Sequence, residues 1–153
     1  MAYEIEVREL QPQATLAVRV SVPMSAISTV MGEVFGELYG YMGRAGLTPA
    51  GMPYARYHSF GAEEIDMEVG APVSGVAEGE GRMVPGELPG GPAAATWHIG
   101  PYDTLAAAYD AITAWMGQQG REPAGAPWEA YWTGPDTVTD PAEYRTEVFW
   151  PIG

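Results

Sequence analysis

The chain has 153 residues, close to the usual size of one domain, and 46% of them are apolar, which is enough to build a single hydrophobic core. Twenty acidic residues against seven basic ones give a formal net charge of -13. That charge repels phosphate backbones and anionic lipid, so we expect neither nucleic acid nor membrane as a direct partner.

The absence of cysteine excludes disulfides, thiolate nucleophiles and iron–sulfur sites. The N-terminus lacks the charged-then-apolar pattern of a secretory signal, and no segment approaches the ~20 consecutive apolar residues that span a bilayer. We therefore expect a cytoplasmic protein. The sequence leaves open whether the chain forms a homodimer.

The first half of the chain has the pattern of two strands, a helix and two further strands. Residues 3–10 and 15–22 are extended and are expected to pair as neighbouring strands. Apolar residues recur every three or four positions over residues 23–45, which predicts an amphipathic helix that ends near Gly46. Two strands are expected to follow, at residues 52–60 and 65–73.

The second half repeats this order after a segment rich in glycine and proline, which is typical of a connection. Residues 93–99 are extended, residues 101–119 have helical periodicity, and strands are expected at 127–133 and 144–152. We predict one domain over residues 1–153, with repeat 1 at about 1–75, the connection at about 76–91 and repeat 2 at about 92–153.

The duplication is visible in single residues. A constant shift of 74 relates two sets of residues, which are Pro49, Ala50, Gly51, Pro53, Tyr54 and Tyr57 in the first and Pro123, Ala124, Gly125, Pro127, Trp128 and Tyr131 in the second. Glu68 and Val69 recur as Glu147 and Val148 at a shift of 79. The expected fold is α+β, with a pseudo-twofold antiparallel sheet, two helices on one face and a central ligand cleft.

The second half resembles the GyrI-like small-molecule-binding domain, a family related to the SOUL haem-binding proteins. The resemblance rests on three segments, which are Trp97-His98-Ile99-Gly100-Pro101-Tyr102, the apolar positions Leu105, Tyr109 and Trp115, and Pro127-Trp128-Glu129-Ala130-Tyr131. The family comprises effector-binding domains of AraC-type and multidrug-responsive transcription activators, together with free-standing forms. The resemblance implies that this chain is a free-standing form.

The resemblance also implies an aromatic cleft in which the glutamate of the strand motif, here Glu129, meets the positive charge of a ligand. The first repeat has Ala55 at the corresponding position, so a central carboxylate would come from one half only. Some members of the family are hydrolases that open cyclopropane rings. The relation to SOUL proteins raises haem as a ligand, but neither histidine is placed as an axial ligand, so we expect no cofactor.

On a strand, Glu129 and Tyr131 project from one face while Trp128, Ala130 and Trp132 project from the other. The sequence does not decide which face lines the cleft. A carboxylate among aromatic rings would be desolvated, which tends to raise its pKa and favours a cationic ligand. The expected ligand contacts are Glu129, Tyr54, Tyr57, Trp97, Tyr102, Tyr131, Trp132 and Trp150.

The two histidines, His58 and His98, lie on separate strands without a third ligand at metal-binding spacing, so no metal site is expected. His98 is expected to form a hydrogen bond near the helix start at Gly100 and Pro101. A nucleophile elbow and a phosphate-binding loop are both missing from the sequence.

Two functions remain in view. The first is a binding protein that captures bulky, hydrophobic, aromatic and often cationic small molecules without changing them. The second is a hydrolase in which Glu129 and Tyr131 would activate water against a strained electrophile.

Overall fold

The structure, a computed structural model, describes residues 3–61, 63–74, 78–134 and 137–153. These residues form two α-helices and nine strands, and all the strand pairings given below are antiparallel. In chain order the elements are β1 (Glu6–Leu10), β2 (Gln13–Val22), α1 (Ile27–Ala45), β3 (Thr48–Pro49), β4 (Tyr54–Phe60), β5 (Ile65–Ser74), β6 (Val84–Leu88), β7 (Gly91–Ile99), α2 (Ala106–Gln119), β8 (Trp128–Thr133) and β9 (Arg145–Pro151). The predicted α+β class is confirmed.

The chain divides into two compact units. The first-repeat unit is Gln11–Gly90, and the second-repeat unit combines residues 3–10 with Gly91–Gly153. In the first-repeat unit, β5 lies between β4 and β2, and β6 pairs with the other edge of β2. In the second-repeat unit, β9 lies between β8 and β7, and β1 pairs with the other edge of β7.

Both helices follow the predicted periodicity, and the repeat extends to their buried faces. Helix α1 buries Val34, Leu38 and Met42 and ends at Gly46. Helix α2 buries the residues 74 positions later, which are Ala108, Ile112 and Met116, and ends at Gly120. The two terminal glycines have φ of 71° and 66°, in the left-handed region where a side chain is strained. One apolar stripe and one glycine therefore define each helix.

The predicted pairing of the first two strands is wrong. Strand β1 pairs with β7, whereas β2 pairs with β5 and β6. Strand β6 was not expected as a strand, because Pro85 and Gly86 within it are typical of turns. Residue 75, at the end of predicted repeat 1, and residues 76 and 77 of the predicted connection lie outside the described part of the chain. Thus β1, from the first repeat by sequence, completes the second-repeat unit.

Helix α2 packs on one face of its sheet. The buried residues of this core are Ala94, Leu105, Ala108, Ile112, Met116, Val148 and Ile152. Since Ala94 and Val148 lie on β7 and β9, the face that carries them is the helix-side face of the second-repeat unit. Within the described ranges, neither helix is long and apolar enough to cross a membrane.

Candidate ligand-binding site

Glu129 lies on the helix-side face of the second-repeat unit. Its register partner is Val148, a residue of the core beneath α2, and paired residues project from the same face of a sheet. Only 2% of the glutamate surface is exposed. Sequence periodicity left the face open, and the packing of α2 now shows that Glu129 and Tyr131 share its side of the sheet.

Three tyrosines lie near this carboxylate. One contacts it directly, and the other two are linked to the first through ring contacts. The Tyr131 hydroxyl donates a long hydrogen bond of 3.5 Å to Glu129 Oε1. The Tyr102 ring meets the Tyr131 ring edge-on, with centroids 5.8 Å apart, and lies 5.0 Å from the Tyr144 ring. We call these four residues the Glu129 cluster. Tyr102 is 39% exposed, so the cluster runs from a buried acid to an accessible ring.

Trp150 has its place in the helix-side core. It is the register partner of Ala94 and packs against the α2 core together with Tyr109, whose ring centroid lies 5.9 Å away. Tyr109 and Trp115 are partly buried against the same core.

Trp97 and Trp132 lie on the opposite face of the sheet. Their rings are 5.6 Å apart, and the Trp132 indole N–H donates to Glu147 Oε1 over 3.2 Å. Glu147 is the register partner of Trp97 and is 6% exposed, and Arg8 of β1 forms an ion pair with it. The structure thus separates these two tryptophans from the Glu129 cluster.

Tyr54 and Tyr57 belong to the first-repeat unit, on β4. Tyr54 is buried and its hydroxyl donates to Glu68, which also contacts His58 Nε2 at 3.1 Å. Burial, and then the neighbouring Glu68 charge, raise the pKa of Tyr54. Side chains alternate between the two faces along β4, so Tyr57 projects from the face opposite to Tyr54. It shares that face with the fully buried Ala55. Tyr57 and Ala55 occupy the positions that correspond to Tyr131 and Glu129.

The sequence reasoning missed two features. Tyr144 precedes β9 and was read only as the start of a strand. Glu68 and Glu147 were noted only as a repeat, although the structure gives each of them at least two side-chain partners. Their shift of 79 was the available signal, because it places one acid at the matching strand position of each repeat.

Several solved structures have a similar fold. The C-terminal domain of EcmrR superposes with a TM-score of 0.90 at 26% identity, over 100% of this chain and 99% of that domain. A hydrolase from Listeria innocua has a TM-score of 0.72 at 12% identity, covering 99% of this chain and 93% of its own. SAV2435 bound to tetraphenylphosphonium has a TM-score of 0.65 at 11% identity, covering 98% of this chain and 94% of its own. The last two similarities concern the fold alone.

The expectation that nucleic acid is no partner is contradicted by EcmrR. A longer EcmrR chain in complex with DNA matches with a TM-score of 0.88 at 25% identity, over 99% of this chain. The match spans 58% of that EcmrR chain. A net charge counted over the matched part does not describe what the rest of a longer chain contacts, so charge could not support the exclusion.

No curated protein in the comparison matches the sequence. The family model of the GyrI-like small molecule binding domain matches residues 3–153, which is nearly the whole length. The sequence motifs around Tyr102 and Glu129 and the similarity to the EcmrR C-terminal domain agree with that match. The chain therefore belongs to the GyrI-like small molecule binding domain family.

Proposed function

We propose that the protein captures bulky aromatic, often cationic small molecules at the Glu129 cluster, with Glu129 as the acceptor of the ligand's charge. The observation that carries the proposal is a carboxylate with 2% exposure on a face where a tyrosine hydroxyl and two further tyrosine rings lie nearby. Two of the expected contacts, Trp97 and Trp132, lie on the opposite face of the sheet and are not part of this site. The contacts of Tyr54, Tyr57 and Trp150 stay predictions.

Burial explains why a cation would be favoured there. An ionised carboxylate that is removed from water is costly unless an opposite charge or several hydrogen bonds compensate it. Tyr131 donates one long hydrogen bond of 3.5 Å to this carboxylate. A ligand cation would bring an opposite charge to it, and the tyrosine ring faces would add about 0.5 to 2 kcal/mol for each cation–π contact.

The related fold of SAV2435 supports the choice of ligand class. That protein is seen with tetraphenylphosphonium, a cation covered by four aromatic rings. The same combination of ring area and positive charge is what the Glu129 cluster would bind. We therefore choose phosphonium compounds as probes.

The proposal predicts discrimination by charge between two compounds of nearly equal shape, methyltriphenylphosphonium and triphenylphosphine oxide. Calorimetry is expected to give micromolar affinity for the cation, on the order of -8 kcal/mol, and binding of the oxide at least about tenfold weaker. Equal affinities would overturn the assignment of Glu129 as a charge acceptor.

Long-range attraction must be separated from site binding, because the net charge of -13 attracts any cation. Tetramethylammonium carries the charge without the rings and is the matched control. We expect no saturable binding of tetramethylammonium, and we expect methyltriphenylphosphonium binding to persist at 0.3 M salt, where the Debye length is below about 8 Å.

A second candidate function is hydrolysis of a strained electrophile. It is favoured by the proximity of the Tyr131 hydroxyl to Glu129 Oε1, which places an acid–base group and a hydrogen-bond donor together. Glu129 would take a proton from water while the water oxygen forms a bond to a ring carbon. The ring C–C bond would break, and its electron pair would take up the proton held by Glu129, which restores the carboxylate. Chromatography of a cyclopropane-containing alkylator decides this: ring-opened product that requires Glu129 supports turnover, whereas recovery of intact compound from the complex supports capture.

A further inference from the structure

We propose that His98 is a positioning residue that holds the start of the α2 segment so that Tyr102 lies against Tyr131. His98 is only 3% exposed, and its Nε2 contacts Pro101 and Thr104 at the helix start. The consequence for ligand affinity rests on the proposed function, whereas the placement of Tyr102 does not.

The imidazole joins three parts of the second-repeat unit. Its Nδ1 lies 2.8 Å from the Tyr3 hydroxyl, and its Nε2 lies 3.1 Å from both the Pro101 carbonyl oxygen and Thr104 Oγ1. The Thr104 hydroxyl in turn donates to the Pro101 carbonyl over 2.9 Å. The predicted contact between His98 and the helix start is therefore present.

The direction of these hydrogen bonds follows from the acceptors. The Pro101 oxygen can only accept, so Nε2 must carry the hydrogen that it shares with Pro101 and Thr104. In the neutral ring Nδ1 is then an acceptor, and the Tyr3 hydroxyl donates to it. The network thus fixes one tautomer and one ring orientation, with the N–H directed at the turn before α2.

This turn carries the exposed member of the Glu129 cluster. Tyr102 follows Pro101 directly and opens a short 3₁₀ turn that ends at Thr104, so His98 contacts the residues on both sides of Tyr102. From the other side, the Gly100 N–H donates to the Tyr144 carbonyl over 2.8 Å. His98 and the Tyr144 backbone together hold the turn, and the Tyr102 ring is placed between the rings of Tyr131 and Tyr144.

Two substitutions separate the roles of the two ring nitrogens. His98→Gln can place an amide N–H near the position of Nε2, whereas His98→Asn offers an acceptor near Nδ1 but is too short to reach Pro101. We expect the cross-relaxation (NOE) between the Tyr102 and Tyr131 rings in the ligand-free protein to persist in wild type and His98→Gln. We expect it to be lost in His98→Asn while urea unfolding shows a folded protein. Its persistence in His98→Asn would overturn the inference, and if that variant does not fold, loss of the contact in folded His98→Gln would overturn it as well.

A double-mutant cycle on ligand affinity tests whether His98 affects binding through Tyr102. His98→Asn is expected to weaken methyltriphenylphosphonium binding about five- to tenfold, and to have no further effect in the Tyr102→Ala background. Equal weakening in both backgrounds would show that His98 acts on the fold in general, which overturns positioning through Tyr102. If wild type shows no charge discrimination, the proposed function fails, and the ring contact in the free protein still decides the inference.

Discussion

Replacing Glu129 with glutamine is expected to weaken methyltriphenylphosphonium binding by about 2 to 5 kcal/mol, which is about thirtyfold or more. The amide keeps the size of the carboxylate but removes its charge, so the cation is left without a partner in a site that excludes water. The triphenylphosphine oxide affinity should change little. Calorimetry of both compounds on both proteins measures the difference directly.

Glu147→Gln is the matched control. It removes a second buried carboxylate from the same unit, also beside aromatic rings, but on the face away from α2, where Arg8 already balances its charge. We expect cation affinity within about threefold of wild type, since rearranged charges outside a site have small effects. A larger loss of cation affinity with Glu147→Gln than with Glu129→Gln would indicate that the ligand binds on the face that carries Trp97 and Trp132.

The second large effect concerns stability and the pairing of β1. Arg8→Met is expected to lower the free energy of unfolding by about 2 to 3 kcal/mol, because Glu147 is left buried without its cation. This lies below the usual cost of breaking a fully buried pair, since the Arg8 side chain is 31% exposed. Urea titration followed by tryptophan fluorescence measures the change.

Two companion variants test the cause of that loss. Replacing both partners, Arg8→Met with Glu147→Leu, should restore most of the stability, because no buried charge remains. Arg19→Met breaks the pair with Asp66 in the first-repeat unit, where both side chains are more than a third exposed, and should cost under about 1 kcal/mol. A similar loss from Arg8→Met and Arg19→Met would contradict the role assigned to burial.

Much of the fold could be predicted from local sequence patterns. Periodicity placed both helices because each buries a stripe of residues four apart and ends at a glycine in the left-handed region. The pairing of β1 could not be read this way, because strand partners depend on contacts that are distant in sequence. Strand β6 was hidden for a different reason, since its proline and glycine favour a turn in isolation.

The site was predictable only in part. Strand alternation correctly grouped Glu129 with Tyr131, but only the packing of α2 identified their face. The same alternation placed Trp132 on the face away from Glu129, although both residues were expected to contact the ligand. Tyr144 joins the cluster through tertiary contact with Tyr102, which no sequence pattern reports. The cytoplasmic location remains a prediction.

The most direct measurement is a crystal structure of the protein with methyltriphenylphosphonium, whose phosphorus atom is easily located in the electron density. We predict that the phosphorus lies beside the Glu129 carboxylate, with its phenyl rings against Tyr131 and Tyr102. A phosphonium seated on Trp97 and Trp132, on the face that carries Glu147, would contradict the account.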